Sequence, residues 1–258
     1  MFNSYTLIEG EIRDYIVQHI APFVDTVEID EHGNVCATQM FTHNQGRHHR
    51  QHPFTVMLNA HMDTYSSINP ERTIIKVESI WTRSSGILGA DDRAGVTILL
   101  DLAERMAISN HFNGTIKHCF TVAEERGLVG AKQVAPSFLQ HVDAAIVFDR
   151  RNTDDIVISC NEIIPFCDVA YGVLFERAAR QLGLNEWKCT AGGYSDTVIW
   201  AESGIQSVNL SVGYNNEHTS AELLNVIATK QTSNLAYYLI NNKLFANAVR
   251  TIVDNQRK

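Results

Sequence analysis

The sequence predicts a three-layer α/β/α fold in which a mixed, largely parallel central sheet carries helices on both faces. Segments with helical spacing of apolar residues alternate along the chain with short apolar runs, which is typical of α/β domains. The run that leads into His61 is apolar almost without a break, as expected of a strand that is buried on both faces. The 258 residues lie within the size of one such unit, so we expect residues 1–258 to form a single domain.

The N-terminal elements follow from local spacing and turn chemistry. Apolar residues recur at helical intervals from Leu7 to Phe23, which predicts a helix over that range. Strands are predicted at Thr26–Ile29 and Asn34–Gln39, joined by the turn-forming segment Asp30–Gly33. The stretch Thr42–Pro53 is rich in histidine and other polar residues. A solvated loop is favoured there over a metal site, because neither a carboxylate nor a strand fixes the histidine side chains.

Strands and helices continue to alternate in the rest of the chain. Short apolar or β-branched runs predict strands at Ile74–Val77, Glu78–Thr82 and Ile156–Ser159. Helical spacing predicts helices at Gly95–Met106, Gly127–Val134, Tyr171–Leu182 and Glu222–Ile240. No internal repeat, low-complexity segment or linker interrupts this pattern, which supports one domain.

Composition excludes several classes of protein. The formal charge of −8 disfavours nucleic acid or an anionic membrane as the main partner, because phosphate binding needs clustered Lys and Arg. No apolar run is long enough to span a membrane, and the N-terminus lacks the pattern of a secretion signal. The five cysteines include no CxxC pair, which favours reduced thiols and a cytoplasmic location. The spacing of Cys160 and Cys167 fits no common zinc pattern.

Acids and histidines follow apolar runs at five places in the chain. A single His-x-Asp such as His61-Met62-Asp63 is most simply a polar strand end, since so short a motif recurs by accident. Here the pattern repeats at the residues Asp91-Asp92, Glu124-Glu125, Asp149 and His218. Because ligands bind at the carboxyl ends of strands in α/β sheets, these groups are expected to meet at one edge. Two histidines and several carboxylates at one edge indicate a metal site.

The chemistry of zinc hydrolases fits this set of side chains. Zinc is held by histidine nitrogen and carboxylate oxygen, and two ions can share one carboxylate while they activate water. Candidate ligands are His61, Asp91, Glu125, Asp149 and His218, which provide one histidine and one acid per metal and leave one carboxylate to bridge. Asp63 lies two residues after His61 and can accept the other ring N–H of that histidine. Of the adjacent pair Glu124-Glu125, one can ligate while the other acts as general base.

The motifs together resemble the co-catalytic di-zinc exopeptidases, a superfamily that includes peptidase T, the deblocking and glutamyl aminopeptidases and the bacterial zinc aminopeptidases. The resemblance covers about residues 30–225. The motifs that carry it occur in the order of that superfamily: His61-Met62-Asp63, the segment 89–95, Glu124-Glu125, Asp149 and the segment 217–222. Each motif is weak alone, but five in this order are specific.

The resemblance implies a role for each candidate ligand. His61 and Asp149 would hold one zinc ion, and Glu125 and His218 would hold the other. Asp91 would bridge the two. The expected cofactors are two divalent ions, with zinc the first choice and cobalt or manganese as alternatives. Short peptides are the expected substrates, and the expected activity is that of an aminopeptidase.

The resemblance also implies the catalytic residues and the domain organisation. Glu124 is expected to be the general base, Asp63 the partner that orients His61, and the Asp91–Asp92 peptide bond is expected to be cis. Two-domain relatives carry a large insertion between these motifs. The corresponding intervals here are short, which predicts a bare catalytic domain without an inserted lid or dimerisation domain and leaves a homo-oligomer open.

Other interpretations remain to be distinguished. An amidohydrolase that removes an acyl group from an amino acid could use the same site, and a non-catalytic relative could keep the metal alone. A serine hydrolase is disfavoured, because the segment Gly193–Thr197 lacks the second glycine of the nucleophile elbow. That segment resembles a substrate-side loop of these peptidases or is a simple turn before a helix. Glu222 is interpreted as the first residue of a helix, where an acid favourably meets the helix dipole.

Overall fold

A mixed nine-stranded sheet runs through the centre of the protein, in a computed structural model that describes residues 3–41, 52–109 and 111–256. A second sheet of four short strands packs beside it in the described part of the chain. In chain order the strands are β1 (Thr26–Ile29), β2 (Val35–Phe41), β3 (Thr55–His61), β4 (Ile74–Val77), β5 (Ile80–Arg83), β6 (Gly114–Thr121), β7 (Ala144–Arg150), β8 (Asp155–Cys160), β9 (Ile164–Pro165), β10 (Lys188–Gly192), β11 (Gln206–Ser211), β12 (Tyr214–Asn215) and β13 (Leu223–Asn225). The helices are α1 (Asn3–Ile20), α2 (Ala90–Ala107), α3 (Pro136–Leu139), α4 (Val169–Gln181), α5 (Thr197–Glu202), α6 (Val226–Asn241) and α7 (Lys243–Gln256).

The strands of the large sheet are ordered β1-β2-β6-β3-β7-β11-β8-β10, and β9 pairs with β8. Its four middle strands, β6, β3, β7 and β11, are mutually parallel. Strands β1 and β2 add antiparallel pairing at one side, and β8 runs antiparallel to β11 at the other. The prediction of a mixed, largely parallel sheet is therefore confirmed, and the parallel strands bring their carboxyl ends to one edge.

Helices cover both faces of this sheet, as predicted. The larger core lies on the face that packs against α1, α2, α4, α6 and α7. The smaller core on the opposite face includes residues from α5 and side chains of α3. Strand β3 serves both cores, because Leu58 points into the first and Met57 into the second. This two-sided burial is the reason that the run before His61 is continuously apolar.

The small sheet has the order β12-β13-β5-β4 and connects two segments that are distant in sequence. The hairpin β4–β5 precedes the segment that carries Asp91, and β12 and β13 flank the segment that carries His218. The two segments are therefore held against each other by strand pairing. Within the described chain, no helix combines the length and the apolar character needed to cross a membrane. All five cysteines are free.

Three local predictions are wrong, for identifiable reasons. The predicted helix Gly127–Val134 is replaced by short 3-10 turns around positions 124–126 and 131–133, because Gly127 and Leu128 both adopt positive φ. Residues 87–89 form a loop before α2 and not a strand, so Asp91 does not follow a strand end. Helix α6 begins at Val226 and not at Glu222, since residues 223–225 form β13. The remaining predicted helices and strands occur with ends shifted by a few residues.

Candidate metal centre

Three of the five candidate ligands lie at the carboxyl edge of the parallel strands. His61 is the last residue of β3, Glu125 follows β6, and Asp149 lies near the end of β7. His218 reaches the same place from the loop after β12, a strand of the small sheet, and Asp91 reaches it from the start of α2. The predicted ligands therefore converge, although only some of them come from strand ends.

Asp91 lies between the two histidines. Its Oδ1 is 3.0 Å from Nε2 of His61, and its Oδ2 is 3.0 Å from Nε2 of His218. On the first side, Asp149 Oδ1 is 3.5 Å from His61 Nε2. On the second side, Glu125 Oε1 is 2.7 Å from His218 Nε2. Each imidazole nitrogen thus faces two carboxylate oxygens, and the two groups of atoms share one carboxylate.

The distances between these atoms suit a bound divalent cation. Ligand atoms of His61, Asp91 and Glu125 all lie within 4.8 Å of one another, and so do those of His61, Asp92 and Asp149. Ligands that each lie ~2.1 Å from a tetrahedral ion are themselves ~3.4 Å apart, close to the separations seen here. Imidazole nitrogen with carboxylate oxygen is also a usual donor set for zinc. The residues present therefore fit a metal ion.

Asp63 fixes the orientation of His61 and of the Glu124-Glu125 pair. Its Oδ1 lies 3.2 Å from Nδ1 of His61 and accepts the backbone N–H of Glu124 at 2.9 Å. Its Oδ2 accepts the backbone N–H of Glu125 at 3.1 Å. Because an ionised carboxylate can only accept, the Nδ1 of His61 carries a proton, which leaves Nε2 as the nitrogen that can give up its proton and bind a metal ion. The expected contact between Asp63 and His61 is thus present.

Electrostatics indicate that this cluster favours positive charge. Burial would raise the pKa of the Asp91 carboxyl, but hydrogen bonds to His218 and His61 outweigh it and lower that pKa to about 2. The hydrogen bond to Asp91 raises the pKa of His218 to about 9, with further help from the charge of Glu125. Burial would lower the pKa of His61, but its carboxylate neighbours, Asp149 first, raise it well above the ordinary value. Both imidazoles therefore hold a proton strongly where no other cation is bound.

The other carboxylates of the cluster show the opposite response, because burial outweighs the influence of the imidazoles on them. Burial, and then the charge of Asp149, raises the pKa of Glu124 to about 10. Burial and the charge of Asp91 raise the pKa of Glu125 to about 7. Burial also raises the pKa of Asp149. If all of these carboxyl groups were ionised, their negative charge would exceed what the two histidines neutralise, and a bound divalent cation would stabilise the ionised form of all of them together.

Two further residues, to which sequence reasoning assigned no role, support the candidate ligands. Tyr214 donates its hydroxyl to Oδ1 of Asp149 at 3.0 Å. Asp92 is fully buried and accepts the backbone N–H of His61 at 3.2 Å and of Gly95 at 2.9 Å. The contact between Asp92 and Gly95 has the pattern of a helix N-cap. Because the predicted helix begins at Gly95, an acid three residues before it is a sequence signal from which this role of Asp92 could have been predicted. No comparable local signal marks Tyr214. The peptide bond between Asp91 and Asp92 is cis, as expected.

Glu222 has a different place from the one predicted. It is buried, and its carboxylate accepts four backbone N–H groups of the segment 88–91: Leu88 at 2.7 Å, Gly89 at 2.9 Å, Ala90 at 2.7 Å and Asp91 at 3.2 Å. The prediction that Glu222 interacts with a helix N-terminus is therefore correct, but it named the wrong helix. Glu222 contacts the start of α2, which carries Asp91, and not the helix that follows Glu222 in the chain.

The segment around Ser195 forms a turn between β10 and α5, and its residues Gly193 and Tyr194 line the cavity of the metal centre, so both interpretations of it agree with the structure. The hydroxyl of Ser195 contacts Thr197 Oγ1 at 2.8 Å and accepts from Asn209 at 3.2 Å. Among the described residues no histidine hydrogen-bonds to it, so the arrangement of a serine hydrolase is absent there. The adjacent Asp196 is buried, and its carboxylate accepts from the Thr121 hydroxyl and the Asn59 amide.

Comparisons with known proteins agree with this architecture. The model of peptidase family M28 matches residues 41–242. Over 117 residues the chain is 32% identical to the uncharacterized protein YqjE of Bacillus subtilis, a match that covers 45% of this chain and 29% of YqjE. The aligned part therefore spans less than a third of that relative.

Solved structures show the same fold. The aminopeptidase PepT of Bacillus cereus superposes with a TM-score of 0.77 at 19% identity over 94% of each chain. A tripeptidase of Staphylococcus aureus gives 0.75 at 18% identity, over 93% of this chain and 94% of that one. The TET1 peptidase of Pyrococcus horikoshii gives 0.71 at 17% identity, over 90% and 94%. At these identities the likeness establishes the fold, and the predicted three-layer architecture is confirmed.

Proposed function

Because the chain belongs to peptidase family M28, a family of metallopeptidases, we propose that it is a di-zinc exopeptidase, specifically an aminopeptidase that removes N-terminal residues from short peptides. The observation that carries the proposal is the position of Asp91. Its two oxygens face two different histidine nitrogens, and each of these nitrogens is close to a second carboxylate. A shared carboxylate between two such groups is the arrangement that co-catalytic metal sites need.

We assign the ligands from these contacts. His61 and Asp149 would hold one ion, His218 and Glu125 the other, with Asp91 common to both. Zinc is favoured by the mixed nitrogen and oxygen donors, with cobalt or manganese as alternatives. When bound there, two such ions supply an activated water and polarise the scissile carbonyl group.

Glu124 is assigned as the general base. Its backbone is fixed by the hydrogen bond to Asp63, and its carboxyl lines the same small cavity as the candidate ligands Asp91, Asp149 and His218. In hydrolysis it would take one proton from the attacking water, whose oxygen bonds to the carbonyl carbon. It would then return that proton to the amine that leaves when the C–N bond breaks. Positive charge bound beside Glu124 would lower its raised pKa and free the carboxylate for this role.

The surroundings of the centre support a reaction at a chain end. The cavity that opens on it has a volume of about 140 Å³ and is walled by the segments that carry Arg151, Tyr194 and Glu217. A space this small suits one end of a peptide better than an extended chain. Two of the similar structures carry the names aminopeptidase and tripeptidase, which agree with short peptides as substrates.

The substrate class is tested by direct assay. The purified protein, with zinc, cobalt or manganese added, is incubated with aminoacyl anilides, di- and tripeptides, and N-acetyl amino acids. Release of free N-terminal residues from the first two groups is expected. Exclusive cleavage of N-acetyl amino acids would show an amidohydrolase instead, and a protein that binds metal without any turnover would be a non-catalytic relative.

The assigned roles of the two adjacent glutamates are tested by a matched pair of variants. Glu124→Gln should retain both metal ions and lose turnover by about 10²- to 10⁴-fold, because only the proton transfer is removed. Glu125→Gln should lose metal, measured by elemental analysis after dialysis. Wild-type turnover in Glu124→Gln, or full metal content in Glu125→Gln, would contradict the assignment.

The proposal extends to organisation and assembly. Between Asp63 and Asp91 the chain forms only the hairpin β4–β5, which supports a bare catalytic domain. The TET1 peptidase of Pyrococcus horikoshii can assemble into a tetrahedron or a large octahedral shell, and a homo-oligomer is proposed here by analogy. A cytoplasmic location is proposed from the free state of all five cysteines. Light scattering of the purified protein measures the assembly directly.

A further inference from the structure

A cavity separate from that of the metal centre lies on the far side of the segment that leads to Asp91. It has a volume of about 750 Å³ and is bounded by the hairpin β4–β5, one face of α2 as far as Arg105 and the first turns of α6. Its walls include the apolar side chains of Ile74, Trp81, Leu88, Ile98 and Leu224. A volume of this size is typical of sites for small molecules, which are usually concave and mostly apolar.

The charged groups of this cavity are mainly positive. Among the described residues that line it, five are cationic and one is acidic, on a chain whose formal charge is −8. The acid, Asp101, pairs with Arg105 at 3.1 Å. The other four cations are Arg72, Lys76, Arg93 and Lys230. In the described part of the chain none of these four cations has a carboxylate within ion-pair distance, so positive charge is concentrated around an apolar wall.

Two of these cations satisfy their hydrogen bonds only with carbonyl groups. Arg72 donates to the carbonyl oxygen of Leu88 at 3.3 Å, and its Nε is buried without a partner among the described residues. Arg93 donates to the carbonyl oxygen of Met62 at 2.6 Å. In the described part of the chain neither guanidinium has a carboxylate within ion-pair distance. The nearest carboxylates, Glu222 for Arg72 and Asp92 and Asp63 for Arg93, act on them only from beyond that distance. A guanidinium carries five N–H donors, so both arginines keep donors that the head group of an anionic ligand can use.

The other two cations lie at the rim. Lys230 is exposed on α6, and the ammonium of Lys76 lies 3.9 Å from the ring centroid of Trp81. Both can reach the head group of a ligand whose apolar part lies against the wall. A neutral apolar ligand would leave all four charges unpaired, and a cationic ligand would be repelled by them.

We propose that this cavity is a binding site for an amphipathic carboxylate, a molecule with one anionic head and an apolar body, which the mechanism of the metal centre does not use. The head group pairs with the guanidinium groups of Arg72 and Arg93 and with the lysines at the rim. The apolar body packs against Trp81, Ile98 and Leu224. The proposal stands independently of the peptidase activity, because none of these side chains is a candidate ligand or base.

The position of Trp81 allows binding to be measured directly. The other tryptophans, Trp187 and Trp200, are buried elsewhere, so a ligand in this cavity should change the emission of Trp81 alone. Decanoate, below its critical micelle concentration, is titrated into the full protein with metal bound, and decyltrimethylammonium serves as the cation of equal chain length. Saturable binding is expected for decanoate and not for the cation. Each CH₂ removed from the acid should weaken binding by up to about fourfold.

Three variants locate the site, with calorimetry as the second measurement of affinity. Thr97→Phe places a ring into the cavity from an exposed position of α2 and should abolish binding. Lys230→Met should weaken it by about two- to fivefold, as expected for one exposed ion pair. The control Lys243→Met removes the same charge from an exposed position outside the cavity and should have no effect.

Several results would overturn the proposal. One is the absence of saturable binding of decanoate in both the fluorescence and the calorimetric titration. Another is equal binding of decyltrimethylammonium, which would show an apolar surface without preference for an anion. Binding that persists unchanged in Thr97→Phe would place the carboxylate elsewhere, for example on the metal ions.

Discussion

Glu222 provides the strictest test of how the metal centre is supported. In Glu222→Gln the shape of the side chain is kept, but one of the two carboxylate oxygens becomes an NH₂ group. Each oxygen accepts two backbone N–H groups, Oε2 from Leu88 and Gly89 and Oε1 from Ala90 and Asp91. Whichever way the amide lies, two buried N–H groups then face a donor.

The magnitude follows from these contacts. A buried donor left without an acceptor costs ~1 to 3 kcal/mol, so two of them lower the free energy of unfolding by ~2 to 6 kcal/mol. The sum is an upper bound, because neighbouring hydrogen bonds are not additive. Since the freed segment ends at Asp91, the same change should weaken metal binding. Residues that orient metal ligands typically contribute ~10- to 100-fold in affinity.

Two measurements check both effects. The free energy of unfolding is obtained from denaturant titrations of metal-free protein, and zinc affinity from competition with a coloured chelator. Glu104→Gln is the control, since it removes the same charge from an exposed position of α2 and should change stability by less than ~0.5 kcal/mol. If Glu222→Gln matches that control in both stability and zinc affinity, the reasoning is refuted.

Two other residues give separate predictions. Asp63→Asn should lower zinc affinity by ~10- to 100-fold in the same competition assay, because the His61 ring loses its charged acceptor; unchanged affinity would contradict this. Burial lowers the pKa of His118 to about 3. Between that pH and about 6.5 the His118 ring is protonated only in the unfolded chain, so the free energy of unfolding decreases as the pH falls through this range. The free energy of unfolding should be about 2 kcal/mol lower at pH 5 than at pH 7 from this residue, and His118→Leu should remove that difference; a variant that keeps it would refute the cause.

The main parts of the site could be predicted because their signals are local in sequence. His61 and Asp149 stand at the ends of apolar runs, and parallel strands that are buried on both faces must bring such ends together. The contact between Asp63 and His61 is also local, since it spans two residues. Such features can be predicted from the sequence because each of them depends on the residues of a single strand.

The rest depends on contacts between distant segments, which leave no local pattern. The carboxylate of Glu222 meets backbone groups more than 130 residues earlier in the chain. Tyr214 and Asp149 are 65 residues apart. Backbone conformation misled one helix prediction, because the helical spacing at 127–134 gave no warning that Leu128, a leucine, adopts a positive φ.

The candidate metal centre has two sides, one around His61 and one around His218, and the protein holds them in place in different ways. His61 is buried at the end of β3 between Asp63 and Asp92, so its position is set by the sheet. The side chain of His218 is 37% exposed, and its backbone adopts a positive φ in a loop.

That loop is held by two contacts beyond His218. Arg83 donates to the carbonyl oxygen of Glu222 at 3.1 Å, and the Glu222 carboxylate holds the segment of Asp91. The loop therefore supplies one candidate ligand, His218, and positions a second, Asp91, which both halves share. Loss of Glu222 or of the β4–β5 hairpin should for this reason weaken metal binding on both sides, and more on the His218 side, because the His61 side keeps two candidate ligands, His61 and Asp149, on the sheet.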